Sequence, residues 1–138
     1  MQKITGLVHS PIFTPIISNY YNGMTVSTPL FSRFLNEKMT AADVYAFLSE
    51  YYATEQFVNV VPLDNNSYLE DGYLDAEACN DTNRIDIFVF GNENQILLTA
   101  RLDNLGKGAS GAAVQNMNIM LGIEEDTGLS VNRQVKKI

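Results

Sequence analysis

One cysteine, Cys79, in 138 residues excludes an internal disulfide and fits a reducing compartment. One histidine, His9, leaves acid–base chemistry at neutral pH to that residue or to a perturbed carboxyl or lysine. Basic residues are few: nine Lys and Arg stand against sixteen Asp and Glu, a net charge of −7. No basic surface is on offer to neutralise phosphates, which excludes nucleic acid as a general partner. The one small basic cluster, Arg133, Lys136 and Lys137, reads as part of a frayed C-terminal end. No apolar run approaches the roughly 20 residues of a membrane helix. The start, MQKITGLVHS, lacks the charged-then-apolar pattern of a secretory signal. Repeats and low-complexity segments are also missing. These absences lead us to expect a soluble, cytoplasmic protein with no nucleic acid and no membrane among its partners.

What is present suits a packed domain. Apolar residues make up 46% and charged residues 18%, and we read residues 1–138 as a single α+β domain with a real core. In residues 4–17 (ITGLVHSPIFTPII), Pro11 and Pro15 forbid a helix and leave one or two short extended pieces. Residues 23–35 begin with β-branched alternation and predict a strand, broken near Pro29 or carrying that proline on a sheet edge. Residues 40–53 (TAADVYAFLSEYYA) are the clearest helix. Thr40 caps it, Asp43 completes a capping box, and Val44, Phe47, Leu48, Tyr51 and Tyr52 recur at helical spacing as an apolar face.

Strands are expected at 57–63 and, more weakly, at 73–79. RIDIFVFGNENQILLTARL then reads as a hairpin around Gly-Asn-Glu-Asn. Its second arm alternates Ile96, Leu98, Ala100 and Leu102 against Gln95, Leu97, Thr99 and Arg101. A last helix runs from about Ser110 to Leu121, with Gly122 placed to end it. This order predicts an α+β fold: a mixed, mainly antiparallel sheet with helices packed on one face.

Chemistry is sparse on this scaffold. LDNLGKGASGAAVQNMNIMLG, residues 102–122, contains one G-x-G-x-x-G match at Gly106, Gly108 and Gly111, between a strand-like and a helix-like run. An autonomous dinucleotide site would require a parallel strand after the helix, and EEDTGLSVNRQVKKI offers none. One alternative is a tight strand-to-helix connection whose small residues let the helix pack on the sheet. Another is a helix N-terminus that, with Lys107 and the Asn104 amide, touches one end of a ligand held mainly by something else.

His9 has no titrating neighbour in sequence and reads as a surface or strand histidine. Cys79 lies in an acidic setting that disfavours a thiolate and reads as structural. Glu70, Asp71, Asp75 and Glu77 read as a solvated acidic rim, so no metal site is expected. Tyr20, Tyr21, Tyr51 and Tyr52 fit a core or a subunit interface better than a base-stacking platform.

The same stretch carries a family likeness. LDNLGKGASGAAVQNMNIMLGIEEDTGL resembles the C-terminal signature of N-acetyl-gamma-glutamyl-phosphate reductase, a D-N-L-x-K-G-A-[AS]-G-x-A-V-Q-N-M-N run followed by an apolar pair, Gly and Gly-Leu. Phe13-Thr14-Pro15 with Gly23-Met24 is similar to the family's F-T-P…R-G-[ILM] segment, and Asp81-Thr82-Asn83 to its [GS]-[TS]-N element. The likeness covers roughly residues 10–129.

The resemblance implies a partial C-terminal domain of a larger two-domain enzyme. An N-terminal Rossmann domain of the same polypeptide would hold NADP, and this part would carry the dimer interface of a homo-oligomer. The family reduces an acyl phosphate to an aldehyde in arginine biosynthesis. A cysteine attacks the acyl phosphate, a thioester accepts hydride from NADPH, and a histidine serves as acid–base. No catalytic residue is matched here: the cysteine belongs to a G-C-Y-P-T-like turn expected upstream of this chain, and His9-Ser10-Pro11-Ile12 only imitates the histidine's H-x-H-T-P-E-I context. The isolated chain is expected to be inactive.

By the same resemblance, Asn104, Lys107 and Gly108 approach the nicotinamide end of NADP, unless each simply braces the turn. Departures from the pattern include Ala112 for a common Gln, Asn22 for the usual Arg, and Ile16-Ile17-Ser18-Asn19 for a His-Leu-Val-Pro-like run. Two other readings stay open: a non-catalytic dimerisation or binding module, and the corresponding domain of an aspartate-semialdehyde dehydrogenase.

Overall fold

The β-rich run after Arg84 folds back on itself at residues 92–94, and the rest of the chain is arranged around that hairpin. A computed structural model describes residues 2–132. In chain order it comprises α1 (Gln2–Thr5), β1 (Met24–Phe31), α2 (Ala41–Tyr51), β2 (Val58–Val60), β3 (Ile85–Gly91), β4 (Gln95–Leu102) and α3 (Gly111–Leu121). The sheet order is β1-β4-β3-β2. The β1–β4 and β3–β4 pairs are antiparallel and β2 runs parallel to β3, the mixed, mainly antiparallel arrangement that the sequence predicts.

In the β3–β4 turn the Asn92 side chain accepts from the N–H groups of Asn94 (2.9 Å) and Gln95 (3.1 Å). Gly91, with φ of +125°, can only be glycine there, because a Cβ would collide with the Gln95 carbonyl. β1 is an edge strand, so Pro29, opposite Leu97, has its missing N–H where the sheet tolerates it.

The α2 helix begins as its sequence predicts. The Thr40 hydroxyl accepts from Asp43 N–H (3.2 Å), and the Asp43 carboxylate accepts from Thr40 N–H (2.8 Å). Those bonds hold the Asp43 carboxyl below its ordinary range. The apolar face, however, is rotated by about one position from the expected one. Ala41 and Val44 are buried against Val89 and Ile96, with Tyr45 and Leu48 packed beside them. Phe47 and Tyr51 of the expected face instead lie 57% and 67% exposed, stacked on each other at 6.0 Å. The core thus sits between α2 and one face of β1, β4 and β3.

The opposite face buries charge. Asp86 and Arg101, directly paired in the hairpin register, form an ion pair at 2.7 Å and are almost inaccessible. β4 is therefore buried on both faces at its C-terminal end, where simple alternation assigns Thr99 and Arg101 to a second, unspecified face. The cover is residues 62–80. Arg101 donates to the carbonyls of Asp75 (3.1 Å) and Tyr68 (3.4 Å), and the Tyr68 ring meets Phe88 edge-on.

Residues 73–79 accordingly form an isolated bridge from Tyr73 back to Glu70, followed by turns, and not the expected strand. Their polar groups serve Arg101 and each other, as in the Asp75 carboxylate accepting from Glu77 N–H (2.8 Å), and no ladder forms. The expected extended pieces at 4–17 are replaced by the single turn of α1, ended by Gly6, and then by irregular chain without a sheet partner. Tyr21, 90% exposed, and Tyr51 lie outside the core. The basic cluster at 133–137 lies outside the described residues.

The rotated α2 face can be tested directly. Val44→Ala should lower the unfolding free energy by about 2 kcal/mol, through lost burial and a residual cavity. Phe47→Ala should change it by less than about 0.5 kcal/mol despite removing the larger side chain. Urea denaturation checks both, and the reverse order would restore the face read from spacing alone.

Candidate functional site

β4 ends at Leu102, and the chain turns at Asp103. The Asp103 carboxylate is buried and accepts four hydrogen bonds. Oδ1 accepts from the N–H groups of Leu105 (2.9 Å) and Gly106 (3.0 Å), the local turn that a short acidic side chain favours. Oδ2 accepts from Asp81 N–H and from the Asn22 amide, both at 2.9 Å. Burial opposes the charge, but the N–H groups of Asp81, Gly106 and Leu105 and the Asn22 amide outweigh it and hold the carboxyl below the usual range.

Next to it Asn104 Oδ1 accepts from Gly23 N–H (2.8 Å), and the Asn80 amide donates to Asn22 O (3.0 Å). Segments 22–23, 80–83 and 103–111, far apart in sequence, are thereby tied into one knot. All three carry landmarks of the resemblance.

Residues Gly106–Ser110 then wind as a wide turn. Gly108 N–H donates to Asp103 O (2.9 Å) and Ser110 N–H to Leu105 O (3.1 Å), each five residues back. The connection is wider than the tight turn the sequence predicts, a geometry that recurs at functional positions. Two glycines have a packing reason. A Cβ on Gly106 would come within 2.9 Å of Thr82 O, and one on Gly111 would collide with Asn83 Oδ1. These glycines bring the turn against residues 82–83, and not α3 against the sheet. Gly108 differs: it is exposed, and a Cβ there meets described atoms only at 3.4 Å or more.

Lys107 is half-buried, its Nζ donating to Gln115 Oε1 at 2.6 Å and lying 5.4 Å from the Phe57 ring centroid. Burial lowers its pKa, against the opposing charges of Glu125 and Glu55. Gln115 also accepts from the Asn83 amide (2.9 Å) and donates to Glu125, which ties the turn to the segment after α3. A cleft of about 210 Å³ opens between the turn, residues 81–83 and residues 128–130.

The structure therefore brings Asn104, Lys107 and Gly108 together on one turn. Asn104 and Lys107 each have a bracing bond, and Gly108 is there without a steric need. The other reactive side chains lie elsewhere. His9 is exposed in the irregular segment before β1. Cys79 is fully buried, its Sγ donating to Asp86 at 3.3 Å, and burial followed by the Asp86 charge raises its thiol pKa. Among the described residues no group of three His, Cys, Asp or Glu could hold a metal ion, and no helix is long and apolar enough to cross a membrane. Asp103 is the residue that sequence reading misses. Its signal is an Asp at a strand end with glycine three residues on, the pattern of a side chain that caps its own turn.

A mixed sheet with α2 on one face, the 62–80 loop on the other and a polar knot where β4 meets a glycine turn makes an α+β domain, and its family follows from comparison with known proteins. Residues 1–104 match the family model described as semialdehyde dehydrogenase, dimerisation domain, and the chain belongs to that family. Among curated proteins it is 48% identical over 132 residues to N-acetyl-gamma-glutamyl-phosphate reductase 2 of Nostoc sp. (strain PCC 7120 / SAG 25.82 / UTEX 2576). It is 46% identical over 132 residues to the N-acetyl-gamma-glutamyl-phosphate reductase of Trichormus variabilis. Identity to the enzyme of that name from Brucella suis (strain ATCC 23445 / NCTC 10510) is 48% over 114 residues. These matches take in 94%, 94% and 81% of this chain but 41%, 41% and 36% of the relatives, so the chain spans about two-fifths of their length.

Two outcomes test the knot. Gly111→Ala should cost about 1–3 kcal/mol through overpacking against Asn83, whereas Gly108→Ala should stay within about 0.5 kcal/mol of the parent in urea denaturation. For Asp103, a folded pKa below the unfolded one means stabilisation that is complete above about pH 5 and is lost as pH falls through the folded value. Stability measured from pH 7 to pH 3 should thus fall less steeply for Asp103→Asn than for the parent; parallel curves would remove the carboxylate from the acid response.

Proposed function

We propose that this chain is the substrate-side and dimerisation part of an NADPH-dependent N-acetyl-gamma-glutamyl-phosphate reductase. Such an enzyme reduces N-acetyl-glutamyl phosphate to the semialdehyde and releases phosphate, a step of arginine biosynthesis. The observation that carries this reading is the 48% identity to a reductase of that name over 94% of the chain, a span that includes the turn. Convergence of the three landmark segments on that turn supports it. In this reading an N-terminal Rossmann domain of the same polypeptide holds NADP, and two copies of this domain pair. The family's description as a dimerisation domain supports the pairing.

The residues present fit one end of such a coenzyme. Gly108 leaves its backbone open to the close approach of a flat group, with no packing reason among the described residues to be glycine. Lys107 adds a positive charge beside it, held in place by Gln115 and Phe57. Asn104 commits its Oδ1 to Gly23, and its NH2 has no partner among the described residues, which leaves it for a ligand acceptor. NADPH, when bound, supplies the hydride. This chain's own residues bind and orient. Cys79 is buried against Asp86 and has its thiol pKa raised, so the nucleophile comes from another part of the polypeptide.

The test compares the 138-residue chain with the longer polypeptide that includes the coenzyme domain. The longer protein should oxidise NADPH with N-acetyl-glutamyl phosphate and not with aspartyl phosphate, and the chain alone should do neither. In the longer protein Gly108→Ala should raise the KM for NADPH by about tenfold, with the acyl-phosphate KM little changed. Preference for aspartyl phosphate, or turnover by the isolated chain, would overturn the reading.

A further inference from the structure

We propose that the Asp103 carboxylate is the positioning residue of this site: through the bonds it accepts, it sets the direction of the turn Asn104–Gly108 relative to the domain. The inference rests on the reading above, in which that turn meets the coenzyme. Asp103 is 3% exposed, so its effect passes through the groups bound to it.

Its two oxygens act on different parts of the chain. Oδ1 closes the turn by accepting from Leu105 and Gly106 N–H, and Oδ2 reaches outside the turn to Asp81 N–H and the Asn22 amide. The adjacent Asn104 takes Gly23 N–H, so two consecutive residues of the turn clamp two consecutive residues of the chain entering β1. Gly23 also lets this segment lie close against residues 76–80: at φ of +113° a Cβ would lie 2.7 Å from Ala76 O.

The bonds inside the turn, Gly108 to Asp103 O and Ser110 to Leu105 O, preserve its shape but not its direction. Direction comes from the bonds that leave it. Of these, the Asp103 bonds are charge-assisted, the stronger kind. An Asn at this position keeps the volume and one acceptor oxygen but turns an NH2 toward donors already in place. The turn is then released from one of the two elements it is tied to.

In the NADPH-dependent reductase carrying this domain, Asp103→Asn should raise the KM for NADPH by about tenfold, the scale of one charge-assisted bond. The KM for N-acetyl-glutamyl phosphate should stay within about twofold, and far-UV circular dichroism should match the parent. A folded Asp103→Asn protein with the parent's NADPH KM overturns the inference, and so does an equal rise in both KM values. Should Asp103→Asn fail to fold, Asn22→Ala decides. This variant removes one donor to Asp103, leaves the Asn80 amide its bond to Asn22 O, and does not touch the turn; a selective rise of about threefold in the NADPH KM supports the assignment, and an unchanged value overturns it. A parent protein that reduces no acyl phosphate with NADPH defeats the proposed function, whereas an active parent with unaffected variants defeats this inference alone.

Discussion

A carboxylate taken out of water must be met by donors, and at the end of β4 those donors come from the adjoining turn and from two distant segments. Asp103 has no water to fall back on. Its charge is kept only because backbone N–H groups and an amide converge on it, which holds its pKa down despite the burial. The strength of that demand is what turns a strand end, the entry to β1 and the 80–83 loop into one object. A neutral residue in its place would leave the same groups with no common focus.

The same logic operates one step earlier in the chain. Asp86 and Arg101 face each other across the hairpin, and burying such a pair is costly unless every remaining donor and acceptor is met. Asn59, Cys79 and Arg84 also donate to Asp86, while Arg101 takes the carbonyls of Tyr68 and Asp75 and leaves only its Nε–H without a partner among the described residues. Residues 62–80 are therefore drawn over the sheet although they form little regular structure. Cys79 is anchored by this pair, and the residues that follow it, Asn80 and Asp81, belong to the Asp103 knot. One buried charge thus delivers to the other the loop it requires. The lone thiol is the joint between the two clusters, which accounts for its burial better than a chemical role would.

Local signals were legible and long-range ones were not. The capping box placed the start of α2, the Gly-Asn-Glu-Asn turn placed the hairpin, and Gly122, at φ of +68°, ends α3 as glycine should. The inner face of α2 differs from the one that spacing predicts because large aromatic residues share the helical period with the smaller ones that contact the sheet. Alternation along β4 told which residues share a face, but only the 62–80 loop decides that Arg101 is buried. Residues 73–79 have a plausible strand pattern, overridden because the Asp75 carbonyl serves Arg101 and Tyr73 pairs back to Glu70. At the turn, the glycine motif marked the right place for an incomplete reason: Gly106 and Gly111 answer to residues 82–83, a contact no local pattern announces.

The surface around the turn bears on how the domain works. From Gly108 to Ile123 the chain has no charged residue, and Met117, Ile119, Met120 and Leu121 of α3 stay exposed. A stretch that apolar is unusual on a surface that meets only water. α3 continues directly from the wide turn. Met117 follows Gly108 by nine residues, about 14 Å at the rise of a helix. In the proposed reading, the Asp103 bonds to Asp81 and Asn22 hold the turn in one direction for the coenzyme, and the reacting atoms come from the rest of the polypeptide.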